Sequence, residues 1–166
     1  MLTIVEIDSL SSAAATSPQA LLTAIHAIAV RRVNAGLVTA MRYDEPNETV
    51  ERLFSSNEAA YPVGGRKPKR DTNWGRHVLI ERRVMLSAGD EAIREGFPDH
   101  PTIFGLGLHS CLNVPLVSGG QCVGTLNVLR AATAWSEEEI ALVWALGLVA
   151  LAAVLALIGT RTRVAG

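Results

Sequence analysis

Residues 109–130 constrain this chain more than any other stretch. Two apolar runs, Cys111 to Val117 and Cys122 to Leu129, flank the turn residues Ser118, Gly119, Gly120 and Gln121. Both runs are rich in Val and Leu, and glycine supplies the positive φ of a tight reversal, so the stretch reads as a β-hairpin. Alternation puts Leu112, Val114 and Leu116 on one face, with Asn113, Pro115 and Val117 on the other. Each arm carries one Asn among apolar neighbours, Asn113 and Asn127. A buried amide must be hydrogen-bonded, because an orphaned polar group costs roughly 1–3 kcal/mol. Either these are satisfied core amides that brace a loop, or they line a pocket. For both to share a face, the arms are expected to join through a three-residue loop, Gly119 to Gln121.

The succession Leu112-Asn113-Val114-Pro115-Leu116, a Gly turn, Val123-Gly124-Thr125-Leu126-Asn127-Val128-Leu129 and then Trp135-Ser136-Glu137-Glu138-Glu139-Ile140 resembles the C-terminal half of a GAF domain. The rest of the chain follows the order of that family, and the resemblance spans residues 17–160. It implies an α+β fold, PAS-related, with a central antiparallel β-sheet. The N- and C-terminal helices would cover one face of the sheet, and short helices and loops the other. About the ligand it is nearly silent. GAF domains bind cyclic nucleotides, tetrapyrroles, small metabolites or nothing known, and a minority reduce free methionine sulfoxide.

The order of elements supports one domain, 17–160, preceded by an arm at 1–16 and followed by a tail at 161–166. The arm reads either as a short helix or as loose chain. Ser17-Pro18 is a helix start, and Leu21, Leu22, Ile25, Ile28, Ala29 and Val33 form an apolar stripe that ends near Asn34-Ala35-Gly36. Leu37 to Tyr43 and Thr49 to Ser55 read as two strands about an Asp44–Asn47 turn. Glu51 and Arg52 suggest that one face of the second strand meets water. Ser136 and Glu139 form a capping box, and Ile140 to Ile158 follow without a charge. Such a segment is either a doubly packed dimer helix or a tail anchor. Its many alanines and its family position favour the dimer, with Leu142, Leu146, Val149, Ala153 and Leu157 left for a partner.

Function is expected in the middle, 56–108, where loops rest on the sheet. Tyr61 to Arg70 sets two glycines beside four basic residues, and residues 50–83 hold eight basic against four acidic ones. That local excess suits an anionic metabolite but is too interrupted for a nucleic-acid stripe. Asp71 to Ile80 reads as a short capped helix with Trp74, His77 and Val78 on one face. Val84 to Ser87 reads as a strand, and Asp90 as the cap of a helix over 91–96. Phe97-Pro98-Asp99-His100-Pro101 reads as a stiff extended loop, in which Asp99 caps the following N–H groups. The candidate ligand-binding residues are Tyr43, Trp74, His77, Asp99, Asn113 and Asn127, with Arg66 and Lys67 at the mouth.

Other classes are weakly supported. The two cysteines, Cys111 and Cys122, stand at mismatched heights of the hairpin, too far apart to bridge. With no signal-peptide pattern, this suggests a reducing cytoplasm. A reductase would need Cys111 or Cys122, yet the loop from Asp90 to Ser110 lacks cysteine. His77, His100 and His109 show no metal-ligand spacing, so neither a metal nor another cofactor is expected. The formal net charge of −1 gives no field for nucleic acid or membrane. The expectation is a stand-alone, non-enzymatic, cytoplasmic sensor that binds a small molecule and is homodimeric through its first and last helices. The alternatives are a methionine sulfoxide reductase and a dimerisation scaffold with a self-filled pocket.

Overall fold

The computed structural model describes residues 1–68 and 72–164 of the 166-residue chain. Lys69, Arg70 and Asp71, part of the basic stretch and one candidate cap, lie outside the described residues. The hairpin forms: β1 to β6 are Leu37–Asp44, Thr49–Ser55, Arg66–Pro68, Met85–Ala88, Ser110–Ser118 and Gln121–Arg130. They make one six-stranded sheet in the order β3-β2-β1-β6-β5-β4, every neighbour antiparallel.

The β5–β6 turn is tighter than expected. Ser118 pairs with Gln121, and only Gly119 (φ +57°) and Gly120 (φ +79°) make the reversal, the double positive φ of a type I′ turn. A two-residue loop alone would put the two asparagines on opposite faces. A bulge corrects the parity: Leu116 faces Gly124 while Val117 faces Cys122, so β6 gains one residue at Val123. Asn113 therefore sits opposite Asn127 on one face.

Across the other face lies the main core. Val38, Ala40, Leu112, Val114, Leu116, Leu126 and Val128 pack under α2 (Pro18–Val33) and α5 (Glu137–Val164). In α2 the expected stripe is buried, the Ser17 hydroxyl accepts from the Ala20 N–H at 3.0 Å, and left-handed Asn34 (φ +53°) ends the helix. Residues 4–16 are a helix, α1 (Ile4–Thr16), started by a Thr3–Glu6 capping box. It packs on its own chain. Leu10 joins the core, and buried Glu6 pairs with Arg32 at 2.9 Å.

The α5 face expected to be left for a partner is buried instead, and of the face expected to cover the sheet only Val143 and Gly147 are fully buried. Leu142, Leu146 and Ala153 are buried against the core, and Val149 and Leu157 are half-buried on it. Trp144, Leu148 and Leu155 stand in solvent instead, 50%, 69% and 40% exposed. A helix apolar on every side carries little directional information, so the sheet decides which face it takes. By length and composition Glu137–Thr160 could cross a membrane, but in this fold it supplies one layer of the core.

The pocket-side face carries a π-helical turn (Gly75–Ile80), α3 (Asp90–Gly96) and α4 (His100–Gly105). The expected extended loop after Phe97 is thus partly helical, since Pro101 occupies the first turn, where its missing N–H costs nothing. Asp90 caps nothing. Gly89 is the N-cap of α3, and the Asp90 carboxylate meets His109 Nδ1 at 2.7 Å. Nor does β2 turn a face to water: Glu51 and Arg52 are each 4% exposed.

Candidate functional site

Two small apolar groups cover this face, with a gap between them. One includes Leu37, Tyr61, Ile103, Cys111 and Leu129, and the other Met41, Val50, Trp74 and Val78. The gap is a cavity of about 50 Å³. Its floor is three rows of the sheet: Leu37–Leu129–Cys111, Thr39–Asn127–Asn113, and Met41 opposite Arg52. Trp74, Phe97 and Ile103 form the roof with Tyr61, Lys67 and Asp99.

Five of the eight candidate residues line this cavity: Lys67, Trp74, Asp99, Asn113 and Asn127. Tyr43, Arg66 and His77 do not. Tyr43 lies toward the far end of β1, packed beside the Met41 group. Arg66 pairs with Glu51 at 3.0 Å, and the same carboxylate takes Arg42 at 2.7 Å. His77 leaves the roof because a π-turn closes on i→i+5, wider than an α-turn, and carries Val78 inward with Trp74. Its Nε2 lies 3.1 Å from the Val84 carbonyl oxygen.

Arg52, Tyr61 and Thr39 were not among the candidates. Arg52 shares strand parity with buried Val50, so its side chain enters the pocket-side layer. Its guanidinium lies over the Tyr61 ring, 4.9 Å from the centroid, and donates to the Pro62 carbonyl at 3.1 Å. A Cβ on Gly65 would come within 2.8 Å of Arg52 Nη1, so glycine makes room for the group. Among the described residues, buried Arg52 Nε has no hydrogen-bond partner and Arg52 forms no ion pair. Burial lowers its pKa, but an arginine stays charged at any physiological pH.

At the mouth, Asp99 accepts from Tyr61 Oη at 3.0 Å and from Lys67 Nζ at 2.8 Å. Its carboxylate therefore does not cap α4, where the Asp99 backbone carbonyl receives the Thr102 and Ile103 N–H groups. Burial works to raise its pKa, but the Lys67 ammonium and the Tyr61 hydroxyl outweigh it and hold Asp99 below its usual value. Burial, reinforced by the Asp99 charge, pushes the Tyr61 phenol well above its usual value, so it remains a donor. Across the floor, Asn113 Nδ2 donates to Asn127 Oδ1 at 2.8 Å, and Asn127 Nδ2 donates to Thr39 Oγ1 at 3.1 Å. The row ends in a buried acceptor, Asn113 Oδ1, that nothing among the described residues satisfies.

The arrangement suits binding more than covalent chemistry. It joins an apolar floor, a guanidinium with spare N–H groups and an amide oxygen. Cys111 is buried in the floor, while Cys122 faces Val117 at the turn end, roughly 20 Å along the strand at ~3.3 Å per residue. Burial raises the Cys122 pKa, against thiolate formation.

The GAF domain model matches residues 17–155. No curated protein sequence matches the chain. Among solved structures, it is similar to the GAF domain of an Acinetobacter phosphoenolpyruvate-protein phosphotransferase, with 16% identity, TM-score 0.70, and coverage of 97% of this chain and 99% of that one. The corresponding GAF domain from Coxiella burnetii gives 17%, 0.71, 95% and 96%. The GAF domain of a two-component sensor histidine kinase from Bacillus halodurans gives 19%, 0.66, 83% and 95%. At these identities the structural likeness speaks for the fold alone, and the family match covers most of the chain. This protein belongs to the GAF domain family.

Proposed function

We propose that this protein is a non-enzymatic GAF sensor that binds a small molecule between its sheet and the 61–108 segment, as a cytoplasmic homodimer. The observation that carries the binding reading is the cavity itself. Buried polar atoms on Arg52 and Asn113 have no partner among the described residues, whose other buried groups are mostly paired. The sensor role draws on the family and on the histidine kinase relative. The reductase alternative lacks a second thiol within reach of Cys111, so no turnover of free methionine sulfoxide is expected.

Native mass spectrometry of the gently purified chain tests the binding reading. The expected spectrum shows a small molecule that leaves on collisional activation. Added back at a hundred times its dissociation constant, that molecule stabilises the fold by about 2.7 kcal/mol. A bare mass together with a flat thermal-shift panel of metabolites would sink the reading.

The dimer rests on α5. Ala141, Trp144, Leu148, Leu151 and Leu155 recur at alternating spacings of three and four along its outer face, the seam of a two-helix coiled coil. Ile4, Val5 and Ile7 of α1 add exposed apolar surface. Leu148→Glu changes a residue 69% exposed and touches no core. Light scattering without detergent should give a dimer for the parent and a folded monomer for the variant. A monomeric parent, or a parent that needs detergent, contradicts the dimer.

A further inference from the structure

We propose that the cavity selects a short organic monoanion, a carboxylate that carries a neutral hydrogen-bond donor such as a hydroxyl at its other end. Arg52 would take the carboxylate and Asn113 Oδ1 the donor. The proposal rests on the small-molecule reading above and narrows it to one ligand class.

Charge sets the first half. Among the described residues two cations and one carboxylate line the cavity, Arg52, Lys67 and Asp99, and the last two are paired to each other at 2.8 Å. Arg52 is the unspent charge. It is 4% exposed and held over Tyr61 and on the Pro62 carbonyl, which fixes the guanidinium plane and leaves Nε to donate. Nε with a terminal nitrogen is the edge that grips a carboxylate with two parallel bonds. A doubly charged ligand would exceed the net +1 of the lining, and a cation would meet it as a like charge.

Position sets the second half. Asn113 is 1% exposed and lines the cavity; its Nδ2 already donates to Asn127, and the atom left without a partner among the described residues is the acceptor Oδ1. A ligand must bring the hydrogen, and an ammonium donor is disfavoured beside Arg52. Arg52 on β2 and Asn113 on β5 stand three strand spacings and two residues of register apart, roughly 16 Å between backbones at ~4.8 Å per strand and ~3.3 Å per residue. The cavity between them, about 50 Å³ with Met41, Ile103 and Leu129 in its walls, has room for a bridge of a few carbons.

The test is calorimetry on the full chain after unfolding and refolding to remove any carried ligand. The probes are 4-hydroxybutyrate, butyrate, 4-aminobutyrate and 4-hydroxybutyramide. The hydroxy acid should bind best. Butyrate should be about 10-fold weaker, and the aminobutyrate and the uncharged amide weaker still. Arg52→Gln should weaken the hydroxy acid by about 30-fold or more while leaving the amide unchanged. Arg52→Lys, which keeps the charge but loses the fork, should fall between. Circular dichroism checks the fold of each variant, and if Arg52→Gln is unfolded, Arg52→Lys together with the probe ranking decides. Equal binding of amide and acid, or no binding by any carboxylate, overturns the proposal. A neutral or cationic molecule found by native mass spectrometry overturns it too, yet leaves the small-molecule reading standing. A bare protein that binds none of the probes and gives a flat thermal-shift panel of metabolites removes both.

Discussion

Arg130→Ala should destabilise this domain by about 3–5 kcal/mol, a large share of the total stability of a domain this size. Arg130 is 3% exposed at the end of β6, where it ties three elements. It donates to the Val33 carbonyl at the end of α2 at 3.0 Å, and to the Ala132 and Ala134 carbonyls in the connection to α5. It also grips Glu139 of α5 with two bonds, at 2.6 and 3.1 Å, and lies 3.8 Å over the Trp135 ring. Alanine would orphan the Val33 carbonyl and leave Glu139 without its cation. The hydrogen bonds from Arg130, with help from the Ser136 N–H, lower the Glu139 pKa below its usual 4.5. A depressed folded pKa contributes stability that is full above about pH 4.5 and fades as pH falls through the folded value. Urea denaturation at pH 7 and at several points below pH 5 measures both effects. The variant should lose stability at neutral pH and show a shallower decline in acid. A loss under 1 kcal/mol would mean that the three ties are dispensable.

Glu139 also shows how much of this fold could be read in advance. The capping box of α5 is there as the sequence indicates, with Ser136 N on Glu139 Oε2 at 2.9 Å and Glu139 N on Ser136 Oγ at 3.2 Å. The stripe of α2 and the β5–β6 hairpin are equally legible, because local periodicity and packing agree in them. Elsewhere the local signal is silent or misleading. Three residues of β3 are too few to show a pattern. Pro101 reads as a helix breaker, yet its place in the first turn lets α4 begin there. The two sides of α5 are equally apolar, and only the sheet decides between them.

The site was half visible for a related reason. Asn113 and Asn127 stand out because amides are conspicuous in apolar strands. Arg52 is hidden in the sequence because a charge in a strand suggests water, although parity ties it to Val50, which is fully buried. What makes a buried arginine acceptable is distant in sequence: the Tyr61 ring, the Pro62 carbonyl and the bare backbone of Gly65. An α-helical period puts His77 on the Trp74 face, and the π-turn changes that period.

Gly124→Ala should be the most damaging small substitution in the sheet, lowering stability by about 3 kcal/mol or more. Gly124 sits at the β6 bulge, opposite Arg42 on one side and Leu116 on the other. A Cβ there would run into the Met41 carbonyl oxygen, with the Met41 carbonyl carbon at 3.1 Å and the Arg42 Cα at 3.3 Å. All three are backbone atoms of β1, so no rotamer change relieves the clash and the β1–β6 pairing must open. Gly119→Ala is the control. Its φ of +57° strains alanine by about 1–2 kcal/mol, but nothing lies within 4 Å of the new methyl. Chemical denaturation should therefore rank Gly124→Ala well below Gly119→Ala. The bulge also sets the parity of β6, so amide spectra of any folded Gly124→Ala should show the largest shifts from Thr125 to Asn127 and at Thr39. Ligand binding should weaken with them, whereas Gly119→Ala, at the far end of the hairpin, should bind as the parent does. Equal losses in the two variants would show that the close approach at Gly124 relaxes without opening the strands.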